Sequence, residues 1–193
     1  MGSSKGVSDF DRTHRLMINS TYEIPRWGFG WNNTAIGKRF FDGWQISGIG
    51  IWQSGAPFSI TDSAGAVFYG TTGSRANYAP GATVQSAQKS GSPQSRLNAY
   101  FDTTAFTRAG NLFGNVGRNT MRGPRQRNVD LSLNKHLLIT ERLNMELRGE
   151  FFNALNMVNF ASPTGSIASS GFGGIKSTEG NPRVIQFAMK LVF

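Results

Sequence analysis

The stretch RVIQFAMKLVF, residues 183–193, decides the fold. Apolar side chains alternate along it with a second, mixed set, because successive side chains of a strand point to opposite faces. The wholly apolar set is Ile185, Phe187, Met189 and Leu191, and Phe193 ends the sequence. The pattern predicts a β-strand over 183–193. The aromatic residue at the end of such a strand suggests a recognition signal.

The same period of two recurs upstream and predicts four more strands. In 142–158, for example, Leu143, Met145 and Leu147 alternate with asparagine, glutamate and arginine. Around Gly48 and Gly50 the alternation slips, which predicts a bulge or bend there. The predicted strands before the last one are 13–25, 44–60, 126–139 and 142–158.

The predicted strands are long for a globular protein, whose strands usually have about five or six residues. Roughly ten tilted residues are what a strand needs to cross a membrane. A soluble sandwich would bury the apolar face in a core, whereas a membrane barrel turns it to lipid and the polar face to the lumen. Periodicity alone leaves these two architectures open.

The composition excludes several classes of protein. Charged residues are only 16% and glycines number 24, which does not fit a helical soluble protein, and 12% aromatic residues argue against disorder. No cysteine is present, so disulfides, cysteine metal sites and cysteine nucleophiles are excluded. The net charge of +9 suggests nucleic acid, anionic lipid or anionic glycan as partners, but the basic residues are scattered singly. The sequence has no apolar run of membrane-helix length, and its start has no apolar signal-peptide region. If the protein belongs outside the inner membrane, we therefore expect a fragment or a chain that has lost its leader.

The lengths of the connections predict a topology. Outer-membrane barrels have short periplasmic turns and long external loops. If residue 193 ends at the periplasm, the tight turn 140–141 is periplasmic and the glycine-rich loop 159–182 is external. By the same alternation the very long loop 61–125 is external and 26–43 is periplasmic, although 26–43 is longer than such turns usually are.

Aromatic side chains gather near the predicted strand ends, as in the girdles of membrane barrels. Packing in a core or loop is the alternative for them. They are Tyr22, Trp27, Phe29, Trp31, Phe40, Phe41, Trp44, Trp52 and Phe58.

No catalytic constellation is found. His14 and His136 are the only histidines, they lie on separate predicted strands, and no phosphate-loop, hydrolase or zinc-protease motif is present. We therefore expect a non-enzyme without cofactor or metal.

Two sets of charged side chains are candidates for binding. The first lies on the polar faces of the strands and would line the lumen, either along a substrate path or as a cross-strand ladder of structural importance: Asp130, Glu146, Arg148, Glu150 and Lys190. The second is the densest part of the basic loop, which either binds lipopolysaccharide or another anionic ligand, or is simply solvated: Arg118, Arg122 and Arg125.

Several motifs follow one another in an order that resembles a known family. They are FDRTHR (10–15), WQISGI and QSGAPFSI within 44–60, GRNTMRGPRQRNVDLSLNKH (117–136), RLNMELRGEFFNALNMVNF (142–160) and NPRVIQFAMKLVF (181–193). Together they resemble the C-terminal barrel segment of TonB-dependent outer-membrane receptors of the Oar-like type, which carry a carboxypeptidase-regulatory-like domain. The resemblance covers nearly all of the chain except the middle of 61–105.

The resemblance implies an all-β fold, an antiparallel membrane β-barrel segment of about five strands with long extracellular loops. It implies a place in the outer membrane of a Gram-negative-type bacterium and a share in energised uptake of a large ligand. It also implies that the barrel-assembly machinery recognises the last strand at Phe187, Met189, Leu191 and Phe193, by adding a strand to its edge.

The chain departs from the family in lacking a plug, an energy-coupling segment and most of a barrel of about 22 strands. Five strands do not close a barrel, for which about eight is the minimum. We therefore expect 1–193 to be the C-terminal part of a larger receptor barrel, whose partners are outer-membrane lipid, lipopolysaccharide, the assembly machinery and the rest of the receptor, with no nucleic acid. The alternatives are a soluble secreted β-sandwich that acts as an adhesin or glycan-binding module, and a basic β-rich nucleic-acid binder.

Overall fold

The structure is a computed structural model, and it describes residues 6–25, 34–63, 75–140 and 143–193. The chain forms two compact units, each made of three segments. The strand unit comprises Leu16–Trp52, Arg127–Val158 and Gly180–Phe193. The loop unit comprises Met1–Arg15, Gln53–Gln126 and Asn159–Glu179.

The five predicted strands form one sheet. In spatial order its strands are β1 (Arg15–Glu23), β2 (Trp44–Gln53), β7 (Gln126–Leu138), β8 (Asn144–Phe152) and β9 (Val184–Val192). Neighbours are antiparallel: Leu131 opposes Phe151, and Phe151 opposes Ile185. The all-β, antiparallel prediction is confirmed, and the sheet is open, with β1 and β9 at its edges.

The sheet has an apolar face and a polar face. On β8 the apolar face carries Met145, Leu147 and Phe151, and the neighbouring rows add Leu133 and Met189. The polar face of β8 carries Asn144, Glu146, Arg148 and Glu150. The alternation in the sequence is therefore preserved across the sheet, because antiparallel pairing keeps opposite residues on one face.

Of the bulge or bend predicted in β2, the bulge is wrong. The amide of Ile24 donates to the carbonyl of Trp44 at 2.9 Å, and the amide of Ser54 donates to that of His14 at 2.9 Å. These two contacts lie equally far apart along both strands, so β2 contains no inserted residue. The glycines make room instead: a Cβ on Gly50 would lie 2.5 Å from the ring of Trp52.

The connection before β2 contains a short helix, α1 (Ala35–Phe41). The hydroxyl of Thr34 caps its first turn by accepting from the amide of Gly37 at 3.1 Å. Trp27, Phe29 and Trp31 lie outside the described residues. Among the residues described, no helix combines the length and the apolar character that crossing a membrane requires.

The loop unit is folded rather than irregular. It contains the short strands β3 (Pro57–Phe58), β4 (Asn77–Tyr78), β5 (Phe106–Thr107) and β6 (Met121–Arg122), paired as β3–β6 and β4–β5. The short helix α2 (Val84–Ala87) follows a capping box, in which Thr83 and Ser86 each bond the other's backbone. The segment 54–60 therefore leaves the predicted strand 44–60 and joins this unit.

A hydrophobic core holds the loop unit together. Its centre is Phe101, whose ring packs edge-on against Phe106 and Phe172 at centroid distances of 5.7 and 5.3 Å. Phe58 packs on the same ring at 5.9 Å, so it belongs to this core and not to a girdle. Sequence periodicity did not reveal this core, because its members come from short elements and turns: Ile60, Ala76, Ala87, Tyr100, Phe101, Ala105, Phe106, Val116, Met121 and Ile175.

Candidate functional site

The charged row predicted for the lumen lies on the polar face of the sheet. Arg148 stands between two carboxylates on β8, at 2.8 Å from Glu146 and 3.6 Å from Glu150. Lys190 opposes Glu146 across the β8–β9 pair. These two ion pairs run along one strand, and the side chain of Arg148 stays about half exposed. The row therefore carries alternating charge on the accessible polar face of the sheet.

Asp130 shares this face but has a local structural role. Its carboxylate accepts a hydrogen bond from the amide of Asn153 at 2.8 Å. Asn153 follows β8 in the left-handed conformation, with φ 47°, and its side chain bonds the backbone of Met157 and of Asn181. Asp130 therefore fixes the turn that ends β8, which leaves the β8 triplet as the more open part of the predicted row.

The predicted basic site separates into paired and open arginines. Arg118 forms an ion pair with Asp9 at 2.8 Å, and Arg122 binds the carboxylate of Asp11. Arg125 is exposed. Arg118 and Arg122 therefore hold residues 6–12 against 117–122, which gives them a structural function besides any role in ligand binding.

Asn119 is the centre of this brace and was not identified from the sequence. Its buried side chain donates to the carbonyl of Val7 at 2.8 Å and to the carboxylate of Asp9 at 2.6 Å. Ser59 completes the network, because its hydroxyl bonds both the side chain and the amide of Asn119. The backbone of Asn119 is left-handed, with φ 56°, a conformation that asparagine tolerates better than most residues.

The brace lowers the pKa of Asp9 below its ordinary value. The principal cause is the hydrogen bond from Asn119, and the positive charge of Arg118 adds to it. Both favour the ionised carboxylate. Asp9 is therefore held as an anion at neutral pH.

The last strand presents its predicted recognition positions outward. Met189 opposes Leu147, and Leu191 opposes Met145, so these side chains continue the apolar face. Phe187 is 80% exposed and Phe193 is 99% exposed. The other edge of β9 has no partner strand among the described residues, so this strand is accessible to pairing.

Lys135 is a second residue that sequence analysis missed. It lies on the apolar face of β7, opposite Leu147, yet it is only 4% exposed. Its ammonium donates to the carbonyl of Phe40 at 3.1 Å and to that of Asp42, at the end of α1. The signal in the sequence is the gap that this lysine makes in the apolar series Val129, Leu131, Leu133 and Leu137.

No metal-binding group appears in the part of the chain that the structure describes: three or more histidine, aspartate or glutamate side chains do not come together there. The non-enzyme interpretation stays a prediction.

Comparison with known proteins identifies the family. A family model described as an outer membrane beta barrel domain matches residues 1–186. No curated protein and no solved structure matches the chain significantly. The match covers almost the whole chain and ends just before the four predicted recognition positions. An outer-membrane location and an all-β barrel domain agree with the apolar and polar faces of the sheet, and the chain belongs to the outer membrane beta barrel domain family.

Proposed function

We propose that this chain is the C-terminal part of the barrel of a TonB-dependent, Oar-like receptor, which takes up a large ligand with energy from the inner membrane. The carrying observation is that two motifs of the resemblance contact each other. Arg122 of GRNTMRGPR binds Asp11 of FDR through its carboxylate and, at 3.3 Å, through its carbonyl. Because two motifs that are far apart in the sequence contact each other, the resemblance is supported as one of the fold and not only of separate motifs.

The open sheet supports a larger barrel. Lipid does not tolerate an unpaired strand edge, because its backbone groups find no hydrogen-bonding partner there. β1 and β9 each pair on one side only among the described strands. We propose the rest of the receptor, its plug and its remaining strands, as the partner, with the remaining strands on these edges. The barrel-assembly machinery engages β9 through Phe187, Met189, Leu191 and Phe193 during insertion.

The folded loop unit supports a receptor rather than a simple pore. In the proposed topology 61–125 and 159–182 face outside. The core that these segments share supports a surface with exposed basic side chains, such as Arg108 and Arg125. Anionic lipopolysaccharide or an anionic ligand fits such a surface. The polar face, with Arg148 between two glutamates, would line the lumen along the substrate path.

The experiment is in vivo cross-linking between TonB and the complete gene product that carries residues 1–193. We expect a cross-link that depends on the proton-motive force, and heat-modifiable migration of the product from the outer membrane. Heat-modifiable migration without any cross-link would reject energised uptake while leaving the barrel intact. A water-soluble product would instead favour the adhesin alternative and contradict the family assignment.

A further inference from the structure

Helix α1 is fastened to the apolar side of the sheet. Lys135 reaches from the apolar face to the carbonyls of Phe40 and Asp42, which end the helix. The indole of Trp44 donates to the same Phe40 carbonyl at 2.8 Å. Arg39 adds a bond to the carbonyl of Ile139 at 3.3 Å. The end of α1 therefore lies on the side of the sheet that carries Leu147 and Met189, where β7 ends and β8 begins.

The helix explains how a lysine is accommodated in an apolar row. A charged side chain that faces hydrocarbon is costly unless it is paired or reaches the interface. The Lys135 ammonium is shielded by helix-end carbonyls, which attract cations, and it lies 5.2 Å from the centre of the Trp44 ring. Helix α1 and Lys135 thus stabilise each other on the apolar side of the sheet.

Among the α1 side chains that the structure describes, the exposed ones are aromatic and basic. Phe40 is 67% exposed and Phe41 is also exposed. Lys38 and Arg39 occupy the last turn and are exposed as well. Aromatic and basic side chains together are typical of a helix that lies in the headgroup region of a membrane.

We propose that α1 is an interfacial anchor: it rests in the boundary between headgroups and acyl chains, with Phe40 inserted and Lys38 and Arg39 on anionic phospholipid headgroups. The occupant is lipid because the helix continues the apolar face, which the barrel family turns to the bilayer. In the topology of the proposed function, on which this inference rests, the anchor lies at the periplasmic leaflet. It explains why the connection 26–43 is longer than a tight turn.

The test uses the absence of cysteine from the sequence. Single cysteines replace Phe40, Met189 and Phe113 in the complete gene product, with cysteines of any other segment removed, and each carries an environment-sensitive fluorophore. The protein is reconstituted into phosphatidylcholine and phosphatidylglycerol vesicles, with and without brominated acyl chains. Phe113 is the matched control, since it is also 67% exposed but belongs to the loop unit. Met189→Cys reports the apolar face itself.

We expect brominated lipid to quench the labels at 40 and 189, and iodide to quench the label at 40 about threefold less than the label at 113. Adding Lys135→Met to Phe40→Cys should release the helix and raise its iodide quenching toward that of 113. If the label at 189 responds to brominated lipid while that at 40 does not, the anchor is refuted and the barrel stands. If neither responds, both the anchor and the lipid-facing assignment fail.

Discussion

Phenylalanine side chains are placed by opposite rules in the two units. In the loop unit Phe101 is 1% exposed and is enclosed by other aromatic rings, whereas in the strand unit Phe187 is 80% exposed on the apolar face. Other side chains of the loop unit shield Phe101 from water, whereas no described residue covers most of the Phe187 side chain. Burial within the chain removes the Phe101 side chain from water. The exposed apolar face that carries Phe187 fits the lipid-facing side of an outer membrane beta barrel domain.

The largest difference is expected between Phe101→Ala and Phe187→Ala. Removing a buried phenylalanine leaves a cavity and typically costs about 3–5 kcal/mol, so Phe101→Ala should unfold the loop unit or bring it close to unfolding. Phe187→Ala removes no contact of that core and should leave the loop unit intact. Hydrogen exchange of peptides from 75–125, measured on the reconstituted protein, reports the result.

Phe113→Ala is the control for this pair, because it removes an exposed phenylalanine from the loop unit itself and should change its stability by less than about 0.5 kcal/mol. Equal exchange in the Phe101 and Phe113 variants would mean that the aromatic cluster does not hold the unit together.

The brace around Asn119 gives the next largest effect. Asn119→Gly keeps the left-handed backbone accessible but removes the side-chain donor to the carbonyl of Val7 and the side-chain acceptor of the Ser59 hydroxyl, which keeps only its bond from the backbone amide of residue 119. A hydrogen bond within a protein typically contributes about 0.5–1.5 kcal/mol, so residues 6–12 should exchange faster. Asn156→Gly is the matched control, because Asn156 is also left-handed, with φ 50°, but exposed; comparable exchange in both variants would contradict the brace.

The strand unit was predictable from the sequence because the alternation that defines the two faces of a strand lies within the strand's own residues. The predicted 126–139 and 183–193 correspond to Gln126–Leu138 and Val184–Val192. The loop unit was missed because its core combines residues distant in sequence, such as Phe58, Phe101 and Phe172, none of which belongs to a periodic pattern. Asn119 was missed for a related reason: its partners Val7 and Ser59 lie far from it along the chain.

The charged row should contribute much less to stability than either buried site. Arg148→Gln breaks both ion pairs of β8, but its side chain is 45% exposed, and exposed pairs are worth only about 0–1 kcal/mol. We expect the denaturation midpoint of the strand unit, followed by tryptophan fluorescence, to change little. Trp44 and Trp52, the two tryptophans that the structure describes, belong to this unit and report on it. A loss as large as that caused by Phe101→Ala would mean that the row is structural rather than open to the lumen.

The smallest effect concerns the pH dependence of the brace. The pKa of Asp9 is lowered in the folded state from its ordinary value of 3.8, mainly by the hydrogen bond from Asn119. A lowered pKa means that the carboxylate stabilises the folded state above the ordinary pKa, and that this contribution disappears as the pH falls through the lower folded value. The attachment of residues 6–12 should therefore be constant from neutral pH down to about 4 and weaken below it.

A fluorophore on Val7→Cys measures this directly, since its anisotropy should fall with the attachment below about pH 4. Asp9→Asn removes the titrating carboxylate and should remove most of the pH dependence. Asp102→Asn is the matched control: the pKa of Asp102 is also lowered, by hydrogen bonds from Thr104, but this carboxylate caps the turn at Thr103–Ala105. The fall in anisotropy could instead persist in the Asp9 variant and disappear in the Asp102 variant. Acid would then act on the turn at Thr103–Ala105, and residues 6–12 would detach because that turn opens and not because Asp9 is protonated.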